Sequence, residues 1–266
     1  MNAGPCPPYR SRIAFEEQTM SEWVEATVVE RIRWNDALIS LRFEAELAPF
    51  NAGQFIRAGM DIAGERIARP YSMVNAPDER PHEIYFNVVR EGPLSPRLAE
   101  LQPGEHFWVV PAPTGFLTLD EIPDARHLWL LATGTAIGPF LSILKTAAPW
   151  SRFEKVVLGH SVRTRDELGY QETIHEIRQR HPVQFQFVPF VTREPGDGPL
   201  CQRIPASIES GALERKTGLD LTPADAHVML CGNAGMLQDT LASLEKRGLK
   251  RHRRREPGQV SMEKYH

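Results

Sequence analysis

Residues 127–147 read HLWLLATGTAIGPFLSILKTA, and the order of residue types in this stretch decides the fold. A nearly unbroken apolar run over His127–Ala132 leads into the turn Thr133-Gly134-Thr135, and apolar residues at helical spacing follow from Pro139. A strand without alternation is buried on both faces, as in a parallel sheet covered by helices. The pattern recurs: KVVLGH (155–160) precedes a helix near 166–180, FQFVPFV (185–191) one near 204–214, and HVMLCG (227–232) the segment MLQDTLASLEK (236–246). Such repetition predicts a doubly wound α/β sheet.

Upstream the grammar is different. ATVVERIRW (26–34), LISLRFE (38–44), QFIRAGM (54–60), RIARPYSMV (66–74), EIYFNVVR (83–90) and HFWVV (106–110) are short β-rich runs separated by Asn-Asp, Pro and Gly turns. Six strands at this spacing predict a small antiparallel β-barrel. A short helix from Pro96 to about Leu101 interrupts them, with Ser95 read as its N-cap and Pro96 in its first turn. The expected organisation is a disordered tail over 1–20, a barrel domain over 21–120 and an α/β domain over 121–266, with a ligand crevice between the two. Met20 is a candidate natural start.

Composition narrows the function classes. The 266 residues are 41% hydrophobic and 24% charged, which supports a sizeable core and excludes wholesale disorder. No apolar run approaches the roughly 18–20 residues that cross a bilayer, and residues 1–20 have no charged segment leading into an apolar one, so a cytoplasmic protein is expected. Three scattered cysteines, Cys6, Cys201 and Cys231, exclude a four-thiolate iron–sulfur cluster within the chain. The 31 basic and 34 acidic residues nearly cancel, so nothing in the overall field calls for a polyanion partner. The nine histidines show neither H-x-x-x-H nor H-E-x-x-H spacing, and no metal site is expected.

Several segments carry chemistry. Gly134-Thr135-Ala136-Ile137-Gly138-Pro139 lies where a strand gives way to a helix, where free amides and the helix dipole favour a phosphate, although a purely structural turn fits as well. The next strand ends in Arg163 rather than an acid, the third in Arg193, and Arg203 precedes the following helix. Guanidinium groups on one sheet edge suit the 2′-phosphate of NADP better than the free ribose of NAD. In the barrel, Arg69-Pro70-Tyr71-Ser72 offers a cation for a pyrophosphate, a ring for stacking and a hydroxyl for a ring nitrogen. Gly92-Pro93-Leu94-Ser95-Pro96-Arg97-Leu98 adds a second helix start. Two phosphate seats on two domains imply two dinucleotides.

Together RPYS (69–72), GPLSPRL (92–98), GTAIGP (134–139), VTRE (191–194), LCGNAGM (230–236) and MEKYH (262–266) resemble the bacterial ferredoxin/flavodoxin NADP reductase family, in the family's order and from Trp23 to the terminus. The resemblance implies an FAD-binding antiparallel barrel followed by an NADP-binding α/β domain. It implies electron transfer between NADPH and ferredoxin or flavodoxin by hydride transfer between nicotinamide and flavin, in a monomer. Related two-domain reductases serve free flavins, quinones or oxygenase components, so the acceptor stays open.

By the same resemblance Arg69, Pro70, Tyr71 and Ser72 hold FAD, with Tyr71 stacking on the flavin and Ser72 near its reactive nitrogen. Phe86, Val88 and Val89 line its strand, and Pro93, Leu94 and Ser95 seat the pyrophosphate. Gly134 and Thr135 lie close to both flavin and nicotinamide, and Arg163, Arg193 and Arg203 take the 2′-phosphate. Cys231, Gly232 and Asn233 border the nicotinamide pocket, although Cys231 reads equally well as a small buried filler. Tyr265 and His266 form the C-terminal lid over the flavin. The family commonly ends in tryptophan where this chain has His266, so the stacking area there is smaller. Ser72 and Glu263 are candidate proton neighbours. Arg251-His252-Arg253-Arg254-Arg255 lacks interleaved aromatics, so it reads as a solvated face or a dock for an acidic carrier, not as a nucleic-acid site.

Overall fold

The computed structural model describes residues 23–194, 196 and 198–265. The tail 1–20 and His266, on which two expectations rest, lie outside the described residues. The first sheet contains β1 (Val24–Arg33), β2 (Leu38–Glu44), β3 (Phe55–Ile62), β4 (Glu65–Ser72), β5 (His82–Asn87) and β6 (His106–Val109), in the order β4-β3-β6-β1-β2-β5 with every pair antiparallel. It closes where the chain after β4 meets β5, through the bridge Met73↔Ile84 and a 2.9 Å bond from the Val74 N–H to the Glu83 carbonyl. Alternate residues Ala26, Val28, Leu41, Phe43, Ile56 and Ala58 fill the interior. In β1 the register shifts between Val28 and Glu30, so Val29 is an extra residue pushed outward and 44% exposed. The helix α1 (Ser95–Glu100) starts without a side-chain cap. Ser95 is therefore not the expected N-cap: its hydroxyl accepts instead from the Val89 N–H at 2.9 Å, tying the helix to the end of β5.

The second sheet is wholly parallel, with order β11-β10-β7-β8-β9, built from β7 (His127–Thr133), β8 (Lys155–Val162), β9 (Phe185–Val191), β10 (Ala226–Gly232) and β11 (Val260–Lys264). Leu128, Leu130 and Ala132 point into one core, with α2 (Gly138–Leu144), α3 (Ala148–Arg152) and α4 (Gln171–Arg180); Trp129 and Leu131 point into the other, with α5 (Ile204–Glu209), α6 (Ala212–Thr217) and α7 (Ala234–Glu245). This is the doubly wound arrangement predicted. Three details differ. The helix expected over 204–214 is broken at Gly211, whose φ of +70° leaves the helical region. The helix expected from 166 starts at Gln171, after a separate turn over Arg165–Glu167. Both α3 and β11 were not foreseen. On the outer edge of the sheet, Pro189 has no N–H to offer, and Leu200 returns to bridge Phe190, bonding to Pro189 O at 2.9 Å and from Val191 N at 3.0 Å.

The two sheets share a core. Leu38, Val74 and Tyr85 of the barrel lie in the same cluster as Phe140, Leu141 and Ile174 of the α/β layer. Burying each such side chain is worth about 1.5–3 kcal/mol, so the domains do not separate cheaply. Among the described residues no helix is long and apolar enough to cross a membrane.

Four imidazoles are buried without a full set of partners; His127 is one, and the other three are shifted furthest. His82 lies against Phe43 and Phe50 with neither nitrogen bonded, and His160 and His227 each leave Nδ1 unpaired. Burial, reinforced for His82 by Arg80 and for His227 by His252, pushes them from 6.5 down to about 4, about 4 and about 3 respectively. Between these values and 6.5 the unfolded chain binds protons that the folded chain does not, so stability is intact above 6.5 and falls as the pH drops toward 4. Denaturant titrations across that window should report an uptake approaching three protons from His82, His160 and His227 on unfolding, with His127 adding to it, and His82→Phe should remove about one of them.

Candidate active site

The first strand–helix turn of the parallel sheet is pressed against the end of β4. Thr133 leads into a single 3-10 turn, Gly134–Ile137, before α2. Gly134 has φ +55° with open space where a Cβ would stand, and its carbonyl lies 2.9 Å from His160 Nε2. A carbonyl only accepts, so Nε2 carries the proton and the turn is fixed from below. At Gly138 an added Cβ would lie 3.4 Å from Val74 Cγ2 and 3.9 Å from Ser72 Cβ. The contact continues outward, with Ser142 Oγ donating to Asn75 O at 2.7 Å and Lys145 Nζ meeting Glu79 Oε2 at 3.0 Å.

Beside this contact is a cavity of about 360 Å³ lined by Phe55, Arg57, Pro70, Ser72, Glu263, Lys264 and Tyr265. Strand alternation explains the lining: Ser72 and Pro70 pair with Phe55 and Arg57 on the outer face, while Tyr71 faces inward, edge-on to Phe86 at 5.5 Å. The far wall is β11 and the residue after it. Tyr265 spans the two domains, with its N–H bonding Gly232 O at 2.8 Å and its hydroxyl donating to Tyr85 O at 3.0 Å, beside Thr135. Burial raises the phenols of Tyr71 and Tyr265, which stay neutral. Glu263 sits behind Gly115 (φ +122°), where an added Cβ would stand 3.4 Å from Oε2, and it accepts from the Phe116 N–H. Burial outweighs that hydrogen bond and lifts the carboxyl to about 7.

The second cluster lies at the carboxyl edge of the sheet. Arg163 follows β8 directly, Arg193 follows β9 by one residue, and the Arg193 N–H bonds Arg163 O at 2.9 Å. Arg203 stands at the start of α5, three residues after Leu200 pairs with β9. All three guanidiniums are exposed, and among the described residues none has a carboxylate within 4.0 Å.

The remaining candidates take varied places. Arg69 is exposed and donates to Ala68 O at 2.7 Å. Phe86 and Leu94 belong to the barrel core, Val88 packs against it, and Val89 is 55% exposed beside the exposed Pro93. Cys231 is fully buried between Ala132 and Glu263, and burial together with Glu263 pushes its thiol well up, so it offers no thiolate. Gly232 has no room for a side chain, since an added Cβ would lie 2.4 Å from both Met236 Cε and Thr133 Oγ1. Asn233 caps α7, accepting from Met236 N at 3.0 Å. Sequence reading missed Phe55 and Arg57, which reach the cavity only through the pairing of β3 with β4. It also missed the hairpin residue Trp34 and the buried Tyr170.

Residues 24–118 match the family described as "Oxidoreductase FAD-binding domain", and residues 130–241 match "Oxidoreductase NAD-binding domain". The chain is thus a two-domain oxidoreductase built to use a flavin and a pyridine nucleotide. It is 47% identical over 221 residues to the flavodoxin/ferredoxin–NADP reductase of Shigella flexneri and 46% identical to that of Escherichia coli (strain K12), each alignment covering 83% of this chain and 89% of the relative. It superposes with a TM-score of 0.87 on a ferredoxin NADP+ reductase from Neisseria gonorrhoeae with bound FAD and NADP, at 33% identity, covering 92% of this chain and 99% of that one. The chain belongs to the bacterial flavodoxin/ferredoxin–NADP reductase family.

The raised carboxyl in the cavity has a measurable consequence. Glu263 keeps its proton in the folded protein up to about 7 but loses it at 4.5 when exposed, so its stabilising contribution is complete below 4.5 and is lost as the pH rises through 7. Glu263→Gln should therefore be more stable than the wild type above neutrality and should abolish a carboxyl titrating near 7 in infrared difference spectra.

Proposed function

We propose that Ser72, Pro70 and Tyr265 hold the flavin of FAD where the barrel meets the first turn of the parallel sheet, and that Arg163, Arg193 and Arg203 hold the 2′-phosphate of NADP(H). The cavity fits such a group: an aromatic ring, a hydroxyl and cations surround a volume able to enclose a flat ring system, though not a whole dinucleotide. Bound FAD supplies the conversion of a two-electron hydride from nicotinamide into single electrons for a carrier protein. The observation that carries the reading is the packing of Gly138 on Ser72 and Val74, which leaves the two seats adjoining across one shared wall.

The chain's own residues supply position and insulation. Gly134 leaves backbone uncovered at the carboxyl end of β7, where a nicotinamide would enter, and Gly232 lets the end of β10 pack closely against Thr133 and Met236. Tyr265 covers the flavin seat from the α/β side and would have to swing away for nicotinamide to reach the same face. Tyr71, from inside the barrel, backs the strand that presents Ser72. Arg69 and the amides before α1, next to the exposed Val89, are placed for the FAD pyrophosphate. Glu263, protonated up to about 7, is the group nearest the cavity able to store a proton.

The acceptor is ferredoxin or flavodoxin, drawn in by the basic run. Arg253 and Glu256 exchange backbone hydrogen bonds at 3.0 and 2.9 Å, which lifts Arg254 and Arg255 onto the tip of a tight turn. That turn precedes β11, whose five residues span about 17 Å before Tyr265. The run thus lies at the rim of a docking footprint and acts by steering an acidic partner.

The purified protein should be yellow and bleached by NADPH far faster than by NADH; a colourless protein that takes up no FAD defeats the assignment. Arg163→Ala or Arg193→Ala should raise the KM for NADPH by about tenfold or more while leaving NADH nearly unchanged. Charge reversal at Arg254 and Arg255 should slow reduction of ferredoxin or flavodoxin in a salt-dependent way without touching dye reduction.

A further inference from the structure

The polar side chains buried between the two domains form one directed row. Trp34 Nε1–H donates to Ser40 Oγ at 2.8 Å, Ser40 Oγ lies 2.6 Å from the Tyr170 hydroxyl, and Tyr170 donates to Glu83 Oε1 at 2.5 Å. Arg42 Nε reaches the other oxygen, Glu83 Oε2, at 3.2 Å. Because the Tyr170 proton goes to a carboxylate, Ser40 must donate in the middle contact, and the row runs one way from Trp34 to Glu83. Ser40, Glu83 and Tyr170 are 0%, 3% and 4% exposed.

Four of these five residues belong to the barrel; Tyr170 alone comes from the α/β domain. Its φ of +59° is a left-handed conformation that a bulky residue adopts only when its surroundings impose it. The ring is held at 4.5 Å from Trp34 and 5.1 Å from Tyr85. Gly169, just before it, packs closely: an added Cβ would stand 3.0 Å from the Tyr85 hydroxyl, which would have to give by a few tenths of an ångström. The same segment is tied a second time to the β1–β2 hairpin, by Asn35 Nδ2 to Asp166 O and Oδ2, both at 3.3 Å. A phenylalanine would fill the space that Tyr170 occupies. What the hydroxyl adds is direction, since a buried polar row is satisfied in only one relative placement of the two domains.

The segment so fixed, 163–170, begins with Arg163, which bonds through its main chain to Arg193. Tyr85, against which Tyr170 packs, gives its carbonyl to Tyr265. We infer that Tyr170 is a positioning residue for hydride transfer: through Ser40 and Glu83 it locks the 163–170 segment, and the nucleotide held by Arg163, at one offset from the flavin seat. This rests on the cofactor assignment above.

Tyr170→Phe in the FAD-loaded enzyme removes the donor and retains the ring. Binding of adenosine 2′,5′-bisphosphate, which needs only the arginine edge, should stay within about twofold, while single-turnover bleaching of the flavin by NADPH should slow by at least about tenfold and appear in kcat rather than KM. Glu83→Gln, which leaves an oxygen to accept from Tyr170, should retain most of the rate. A Tyr170→Phe enzyme that bleaches at the wild-type rate with only a lowered Tm overturns the inference, because the row would then be packing alone. A matching loss of adenosine bisphosphate binding also overturns it, since the segment would have come apart rather than shifted. Should Tyr170→Phe not fold, Asn35→Ala, which cuts the exposed tether, decides on the same criteria with an expected slowing of about threefold. A wild-type protein that NADPH fails to bleach would instead sink the cofactor assignment and leave the row unexplained.

Discussion

The contact of Gly138 with Ser72 and Val74 is the constraint on which the rest depends. One side of it is the outer end of an antiparallel strand, the other the first helical residue after a parallel one, and neither tolerates displacement. A methyl group at Gly138 would just meet Val74 and Ser72 at ordinary contact distance, and anything longer would press on the shared core of Leu38, Val74, Tyr85, Phe140 and Leu141. The barrel and the α/β layer, between which we place the two cofactors, are therefore held together by hydrophobic burial, a non-directional force, and aligned by hydrogen bonds such as those of Ser142 and Tyr170.

Arg57 and Lys264 line the cavity from its exposed side, while the groups buried behind it are neutral. Cys231 and Tyr265 hold their protons, His160 stays neutral, and Glu263 titrates near 7 instead of in the usual carboxylate range. Hydride transfer needs no strong acid or base, and neutral groups on the buried side avoid competing proton chemistry. The charges stand outside, in the arginines of the sheet edge and the turn at Arg254 and Arg255, where water stabilises them and phosphate or carrier can reach them.

Much of this was legible in the chain. The buried strands betrayed themselves by missing alternation, and the seats proposed at Arg69–Ser72 and Gly134–Pro139 are short runs of consecutive residues. The failures have physical reasons. Ser95 looks like a cap but spends its hydroxyl on Val89, a partner that only the barrel brings near. Val260–Lys264 carries too little apolar pattern to read as a strand and becomes one by pairing with β10. Asn233, expected at the nicotinamide, also caps α7, a role that its position before Ala234-Gly235-Met236 could have suggested. The row from Trp34 to Glu83 had no local signal at all, being assembled from residues as much as 130 positions apart.

Pro189 bears on how the molecule behaves in company. FQFVPFV is the kind of apolar, β-prone ribbon that templates fibrils when its flank lies bare. Here the Phe185 N–H is spent on His181 O, Val191 on Leu200, and Pro189 has nothing to give, so a neighbouring copy finds few donors to zip onto. The β9 edge of the parallel sheet is thereby kept from sticking to a second copy of the chain.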